Sequence, residues 1–395
     1  MRLVAARGGT RRRYPSRVPS PLDSLDPFNL KQQISRLDDV RALGGRFMAD
    51  LDAARTARRA LLPLPFVDRT PNTQTKIFPP FKARPIPSLR SKRVGLLLSG
   101  GSGACVAAVG VARALEEAGV EPQAISVCSG SALWGSMMAA GLTSQEMVNQ
   151  SLNWQPEDYL DIRWTRIPRF AMAAMRGFTG LAKGEAVEKL FDRQLWHMSA
   201  GETAIPIYSE AYNIDHGRLE TFGSKLTPHL TIGEMVRIAT ALPLLVEAVR
   251  VEDSLYVDGG VVDVFPAQPL LDHERLDVVI GVNTILPRGF EGEDITGWTE
   301  RPMGFMAASR QISYAGHLEL ARRSARRLGK KLVLIDPVDY TEVHGWRFYD
   351  LFIDRRKWPR LILQGYEHAT RVLDRYRRSS GASKRRPRPV AASRG

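Results

Sequence analysis

Cysteine is scarce in this 395-residue chain: Cys105 and Cys128 are too few for a disulfide framework and lack zinc-finger spacing. The seven histidines fall into no recognisable motif. There is no internal repeat. The N-terminus has no continuous apolar segment of the secretory kind, and its Arg- and Ser-rich, acid-free character has only a loose likeness to an organelle transit peptide. Residues 94–112 carry no charge over nineteen positions, near the length of a membrane span. A cluster in their middle, Ser99, Gly100, Gly101, Ser102 and Gly103, reads instead as a turn between a strand and a helix. The expectation is a cytoplasmic protein, peripheral where it meets a membrane.

Acidic residues are missing from both ends. Residues 1–22 hold six arginines and residues 376–395 hold seven basic residues, so thirteen of the fourteen excess positive charges lie there. The middle is nearly balanced, and no nucleic-acid-binding domain is expected from it. The ends suit an anionic surface, with anionic lipid as good a candidate as nucleic acid, or are solvated tails.

Spacings of three, four and seven between Ile34, Leu37, Val40, Phe47 and Leu51 predict a helical arm within residues 23–62. A proline-rich stretch, 63–92, reads as an extended connector lying on a surface. From Arg93 the texture changes. A short apolar run ends in glycine, a helical pattern follows over 106–119, and the unit repeats as a strand at 124–127, a turn, and a helix at 132–141. Further strands are predicted at 206–211, 254–257, 276–282 and 331–335, and a last helix at 361–376. Alternating strands and helices imply a mostly parallel sheet covered on both faces. The reading is thus an N-terminal region 1–92, a core domain 93–275, its C-terminal completion 276–375, and a basic disordered tail 376–395.

Three segments carry chemistry. Glycines at 100, 101 and 103 follow a strand and open a helix, which suits an anion held by backbone N–H groups. Val106 stands where a dinucleotide fingerprint needs its third glycine, and the Gly-Lys-Ser/Thr of a P-loop is absent. Cys128, Ser129, Gly130 and Ser131 form a second strand-to-helix turn, where a serine hydroxyl is presented as a nucleophile requires. Asp258, after a short strand and before Gly259 and Gly260, is the third.

In this order and spacing the three segments resemble the patatin-like phospholipase family, over roughly residues 94 to 275. Ala139, Ala140 and Gly141 after the elbow helix, and Thr240, Ala241, Leu242 and Pro243 before the aspartate, add to the likeness. The loop lacks the family's arginine, and Val127 and Ser131 replace the glycines flanking the nucleophile. The resemblance implies a three-layer α/β/α hydrolase fold with a mostly parallel central sheet, plus the helical N-terminal arm. It implies a serine acyl hydrolase cleaving esters of lipids or phospholipids, with Ser129 as nucleophile, Asp258 as base, and Gly100, Gly101, Ser102 and Gly103 as oxyanion loop. No metal and no cofactor are needed. Counting back from Gly141 selects Ser129; Ser131 is its rival, and Cys128 reads as a small buried residue. Residues 154–180, mixing Trp164, Ile167, Phe170, Met172, Met175 and Phe178 with arginines, suit an interfacial helix or lid, or an ordinary packed helix. Two alternatives stay open: a catalytically impaired lipid-binding relative, and a nucleic-acid-associated protein acting through its basic termini.

Overall fold

All five residues of Val94–Leu98 (β1) are buried, as are all of Ala124–Val127 (β2) and Val278–Val282 (β9), the signature of strands sheathed on both faces. In the computed structural model of the protein they are central strands of one sheet. The structure describes residues 77–78, 83–162, 180–291, 304–343 and 347–383. The N-terminal arm at 23–62 and most of the stretch proposed as a lid (163–179) lie outside the described residues.

Leu332–Ile335 (β10), β9, β1, β2 and Ile207–Asn213 (β4) lie side by side, each parallel to the next. Arg218–Gly223 (β5) returns antiparallel along β4, and Ser254–Asp258 (β8) also pairs antiparallel with β4, carrying Val249–Val251 (β7) on its outer side. A separate two-stranded sheet joins Gly180–Ala182 (β3) to Leu244–Val246 (β6).

Alternation along the strands builds two cores. Val94, Leu96 and Leu98 of β1, with Ile125 and Val127 of β2, face Ala107–Ala118 (α1), Ser131–Ala139 (α2), Ser144–Asn153 (α3), Glu185–Gln194 (α4), Ile232–Ala239 (α5) and Trp358–Ser383 (α9). Leu97, Ala124 and Val279 face the other way, onto Gln268–His273 (α6) and Gly304–Leu328 (α7). The result is a mixed α/β fold of three layers, α/β/α, with a mostly parallel central sheet. A further helix, Arg347–Ile353 (α8), lies against the start of the helical turn Ser102–Val106.

Small residues let α1 and α9 approach closely. A methyl on Gly110 would fall 1.9 Å from the Ile362 carbonyl, and one on Gly365 2.0 Å from the Ala107 carbonyl. Two expectations are corrected. Ile86 and Leu89, in the stretch read as a surface connector, are buried in the core, because Ile86 N–H donates to the Ala118 carbonyl and pulls the segment onto the end of α1. The last helix runs to Ser383, into the stretch read as a disordered tail, with Leu361, Tyr366, Ala369 and Leu373 holding its inner face. Among the described residues, no helix is long and apolar enough to cross a membrane.

Candidate active site

The sheet itself brings two of the three segments together. Ser209 of β4 pairs with Val127 on one side and Phe222 of β5 on the other, and Ala211 pairs with Asp258 and with Glu220 of β5. Because β5 occupies one edge of β4, β2 and β8 must share the opposite edge. They run head to head along it, and their C-terminal ends meet two residues apart. Ser129 follows one end and Asp258 is the other. Both lie on the side where the parallel strands finish, the usual place for a ligand in an open α/β sheet.

Ser129 is at φ +52°, a left-handed conformation uncommon for a residue with a side chain, and this turns the chain from β2 into α2. The elbow tolerates its lost glycines for local reasons. Val127 packs where α2 has Gly135, at which a methyl would come within 2.3 Å of Val127 Cγ1. Ser131 is 1% exposed; its hydroxyl accepts from Cys128 N–H at 2.9 Å and shares its one proton between the carbonyls of Cys128 (2.8 Å) and Leu98 (3.0 Å). Ser131 thus ties the elbow to the end of β1, and its oxygen is engaged. Ser131→Ala should leave a reactive-serine probe able to label the protein while lowering stability by about 1–3 kcal/mol, the cost of orphaning buried polar groups, measured as a lower denaturant midpoint. Cys128 is buried with Sγ donating to the Asp263 carbonyl, and burial first, then the charges of Asp258 and Asp263, push its thiol well above the usual range. It stays a thiol.

The glycine loop lies against the elbow. A methyl on Gly100 would be 3.6 Å from Ser129 Cβ, and one on Gly130 2.5 Å from the Ser102 carbonyl. The loop is held from β9: Ser99 Oγ accepts from Thr284 N–H at 2.8 Å, and Thr284 Oγ1 donates to the Gly100 carbonyl at 2.8 Å. Gly100 N–H donates to the Val264 carbonyl at 2.8 Å, so it is not available to an oxyanion. Gly101 and Ser102 N–H have no acceptor among the described residues. Gly101 sits at φ +152° with Thr284 Oγ1 2.5 Å from where a methyl would be. Gly103 and Ala104 point away from the elbow: Gly103 packs on the Leu351 carbonyl of α8, and Ala104, standing where the family pattern has arginine, is fully buried.

Asp258 is 1% exposed, and its Oδ1 accepts from Gly260 N–H at 2.7 Å. No hydrogen bond of ordinary geometry reaches Oδ2, yet the Ser129 side chain is close enough to favour the ionised carboxyl. Burial outweighs both contacts and raises its pKa to about 6. Gly100, Gly101, Ser129, Asp258 and Gly260 line one pocket of about 170 Å³, walled by Leu242, Val264, Leu286, Tyr314, His317 and Phe348 among others. Ser102 and Gly103 are not on its wall. A larger cavity of about 390 Å³, lined by Arg93, Leu276, Asp277 and Lys331, lies at the opposite, N-terminal ends of the strands and has no serine, threonine or cysteine on its wall.

Sequence reasoning missed the walls contributed by α7 and α8. Tyr314, His317 and Phe348 come from helices far along the chain and carry no local motif. Conversely, Trp154, the start of the stretch read as a lid, is 2% exposed and packs on Trp134 and Phe191, so it belongs to the core.

The family model for patatin-like phospholipase matches residues 96–271, which include β1, the glycine loop, the elbow and Asp258. A protein named Lysophospholipase NTE1 from Cryptococcus neoformans var. neoformans is 24% identical over 214 residues, covering 53% of this chain and 12% of that protein. Its namesake from Mycosarcoma maydis is 27% identical over 209 residues, 52% of this chain and 10% of that one. The chain therefore spans about a tenth of the length of these relatives. Among solved structures, VipD from Legionella pneumophila matches with TM-score 0.40 and 15% identity over 72% of this chain and 67% of that one. Human GIVD cytosolic phospholipase A2, in complex with methyl gamma-linolenyl fluorophosphonate, matches with TM-score 0.43 and 10% identity over 74% and 60%. Over residues 96–271, which hold the glycine loop, Ser129 and Asp258, the chain is thus similar to the patatin-like phospholipase family.

Proposed function

We propose that this protein is a serine acyl hydrolase acting on carboxylic esters of lipids through a Ser129–Asp258 dyad. The observation that carries the reading is the meeting of Ser129, on its left-handed turn, with the buried carboxyl of Asp258 in one pocket. Asp258 takes the Ser129 proton as Oγ attacks the ester carbonyl. The oxyanion of the tetrahedral intermediate rests on the N–H of Gly101, the loop residue that lines the pocket with its N–H unclaimed among the described residues. The intermediate collapses with the alkoxide leaving, protonated by Asp258, and an acyl-Ser129 remains. Water then attacks the acyl group, Asp258 takes its proton, and the carboxylic acid departs as Ser129 regains a hydrogen. The raised pKa makes Asp258 a stronger base than an ordinary carboxylate, as a direct partner of a serine requires.

The name of the NTE1 relatives favours a phospholipid or lysophospholipid, and the apolar pocket wall fits an acyl chain. The reading of a binding-only relative has less to support it, since Val127 and Ser131 fit the elbow without displacing Ser129. We place the protein at a membrane face on the strength of its basic ends, of which only residues 376–383 are described.

The test is to react the purified protein with a fluorophosphonate probe, map the adduct by mass spectrometry, and measure fatty-acid release from mixed micelles. An adduct on Ser129 with fatty-acid release supports the proposal; an adduct elsewhere, or none in folded protein, overturns it. Gly101→Ala should lower kcat by about 10²–10³, the usual cost of one oxyanion donor, because its methyl strains the loop against Thr284. Hydrolysis of a soluble p-nitrophenyl ester reads this directly.

A further inference from the structure

One buried polar atom on the pocket wall has no role in the dyad chemistry. His317, on α7, lines the same pocket as Ser129 and Asp258. Its ring donates to the Val261 carbonyl. Its Nε2 is buried and has no hydrogen-bond partner. The donating nitrogen is therefore Nδ1, and Nε2 of the neutral ring carries a bare lone pair. Burial lowers the pKa of this imidazole from its ordinary value, which keeps the ring neutral near pH 7.

A buried acceptor without a donor is costly, and the cost is removed when a ligand supplies the missing N–H or O–H. Val264, Leu286 and Phe348 on the same wall carry no donor, and the Tyr314 and Tyr340 hydroxyls are engaged with each other. A substrate bound in the pocket is a source of the missing donor. A diacyl glycerophospholipid has only acceptors next to its ester bonds. A monoacyl glycerolipid has a free hydroxyl on the carbon next to the acylated one.

We propose that His317 is a specificity-determining residue, its Nε2 accepting a hydrogen bond from a substrate hydroxyl adjacent to the scissile ester. This rests on the reading of the pocket as a lipid-ester site. A site built to accept a hydroxyl proton discriminates strongly against the analogue lacking it, because the buried acceptor is then left unpaired.

The experiment uses binding, so that it does not depend on Ser129 being the nucleophile. Two short-chain ether lipids, used below their micelle concentration, are titrated calorimetrically into the full-length protein. They are 1-O-octyl-glycero-3-phosphocholine and its 2-deoxy counterpart. Wild type should bind the hydroxyl compound about 10-fold more tightly. His317→Phe should bring the ratio to about 1 by weakening the hydroxyl compound alone. His317→Gln, which offers an amide oxygen as acceptor, should restore part of the preference and guards against a folding defect in the phenylalanine variant. Equal binding of the two lipids by wild type, or an unchanged ratio in His317→Phe, would overturn the proposal. Loss of fluorophosphonate labelling at Ser129 would instead count against the dyad and leave the binding ratio to stand or fall by itself.

Discussion

Ser129→Ala is expected to abolish both fluorophosphonate labelling and ester hydrolysis, with a loss in kcat on the order of 10⁴-fold or more, as when other hydrolases lose a serine nucleophile. The size follows from the surroundings. Ser131 Oγ is engaged with Cys128 and Leu98, and Cys128 is a buried, fully protonated thiol, so neither neighbour can take over. Removing one hydroxyl leaves Asp258 without its partner but leaves the loop of Gly101 and Ser102 untouched. The variant should therefore fold normally, and a thermal melt alongside the assay separates lost chemistry from lost structure. The melting temperature should change little or fall slightly, because alanine keeps the +52° backbone strain and the hydroxyl that favours the ionised Asp258 is gone. Residual hydrolysis within 10-fold of wild type would show that a different group attacks the ester.

How much of this was legible beforehand depends on how local the signal is. Strands β1, β2 and β9 were readable because burial on both faces demands an unbroken apolar run. β5 was not: an edge strand with the sequence Arg218, Leu219, Glu220, Thr221, Phe222 and Gly223 has no apolar run and is only half-buried over most of its length. Ser129 and Asp258 could be singled out because each sits at a strand end with glycine beside it. Their meeting could not be derived locally, since it depends on β2 and β8 sharing one edge of β4. The support of the glycine loop by Thr284 joins residues 185 positions apart through side chains that look ordinary in isolation. His317 was passed over for the same reason: no histidine motif marks it, and its meaning lies only in an unpartnered nitrogen on a pocket wall. Gly100 shows the reverse case. Its place in the glycine run suggested an oxyanion donor, but the tertiary bond to Val264 had already claimed its N–H.

The pH dependence should separate the two faces of Asp258. Its carboxyl must be ionised to accept the serine proton, and burial lifts its folded-state pKa to about 6. On a neutral ester, kcat/KM should therefore hold steady at neutral pH and fall tenfold per pH unit below about 6. That limb belongs to Asp258 itself. Burial is the main cause of its shift, opposed by Ser129 and Gly260, and no neighbouring acid contributes. For stability the sign is opposite to that of a salt-bridged carboxylate. Between its unfolded pKa, about 3.9 for aspartate, and its folded value the native state holds more protons than the unfolded chain. This group therefore adds stability at low pH that is lost as pH rises through about 6. Asp258→Asn removes the buried charge while its amide oxygen still accepts from Gly260 N–H. The variant should lose activity by about 10⁴-fold, yet at pH 7 to 8 unfold at higher denaturant than wild type, by on the order of 2–3 kcal/mol. The gap should shrink as pH approaches 4. Denaturant melts of both proteins across this range decide the matter, because a carboxylate that served only to stabilise the fold would give a less stable asparagine variant at neutral pH.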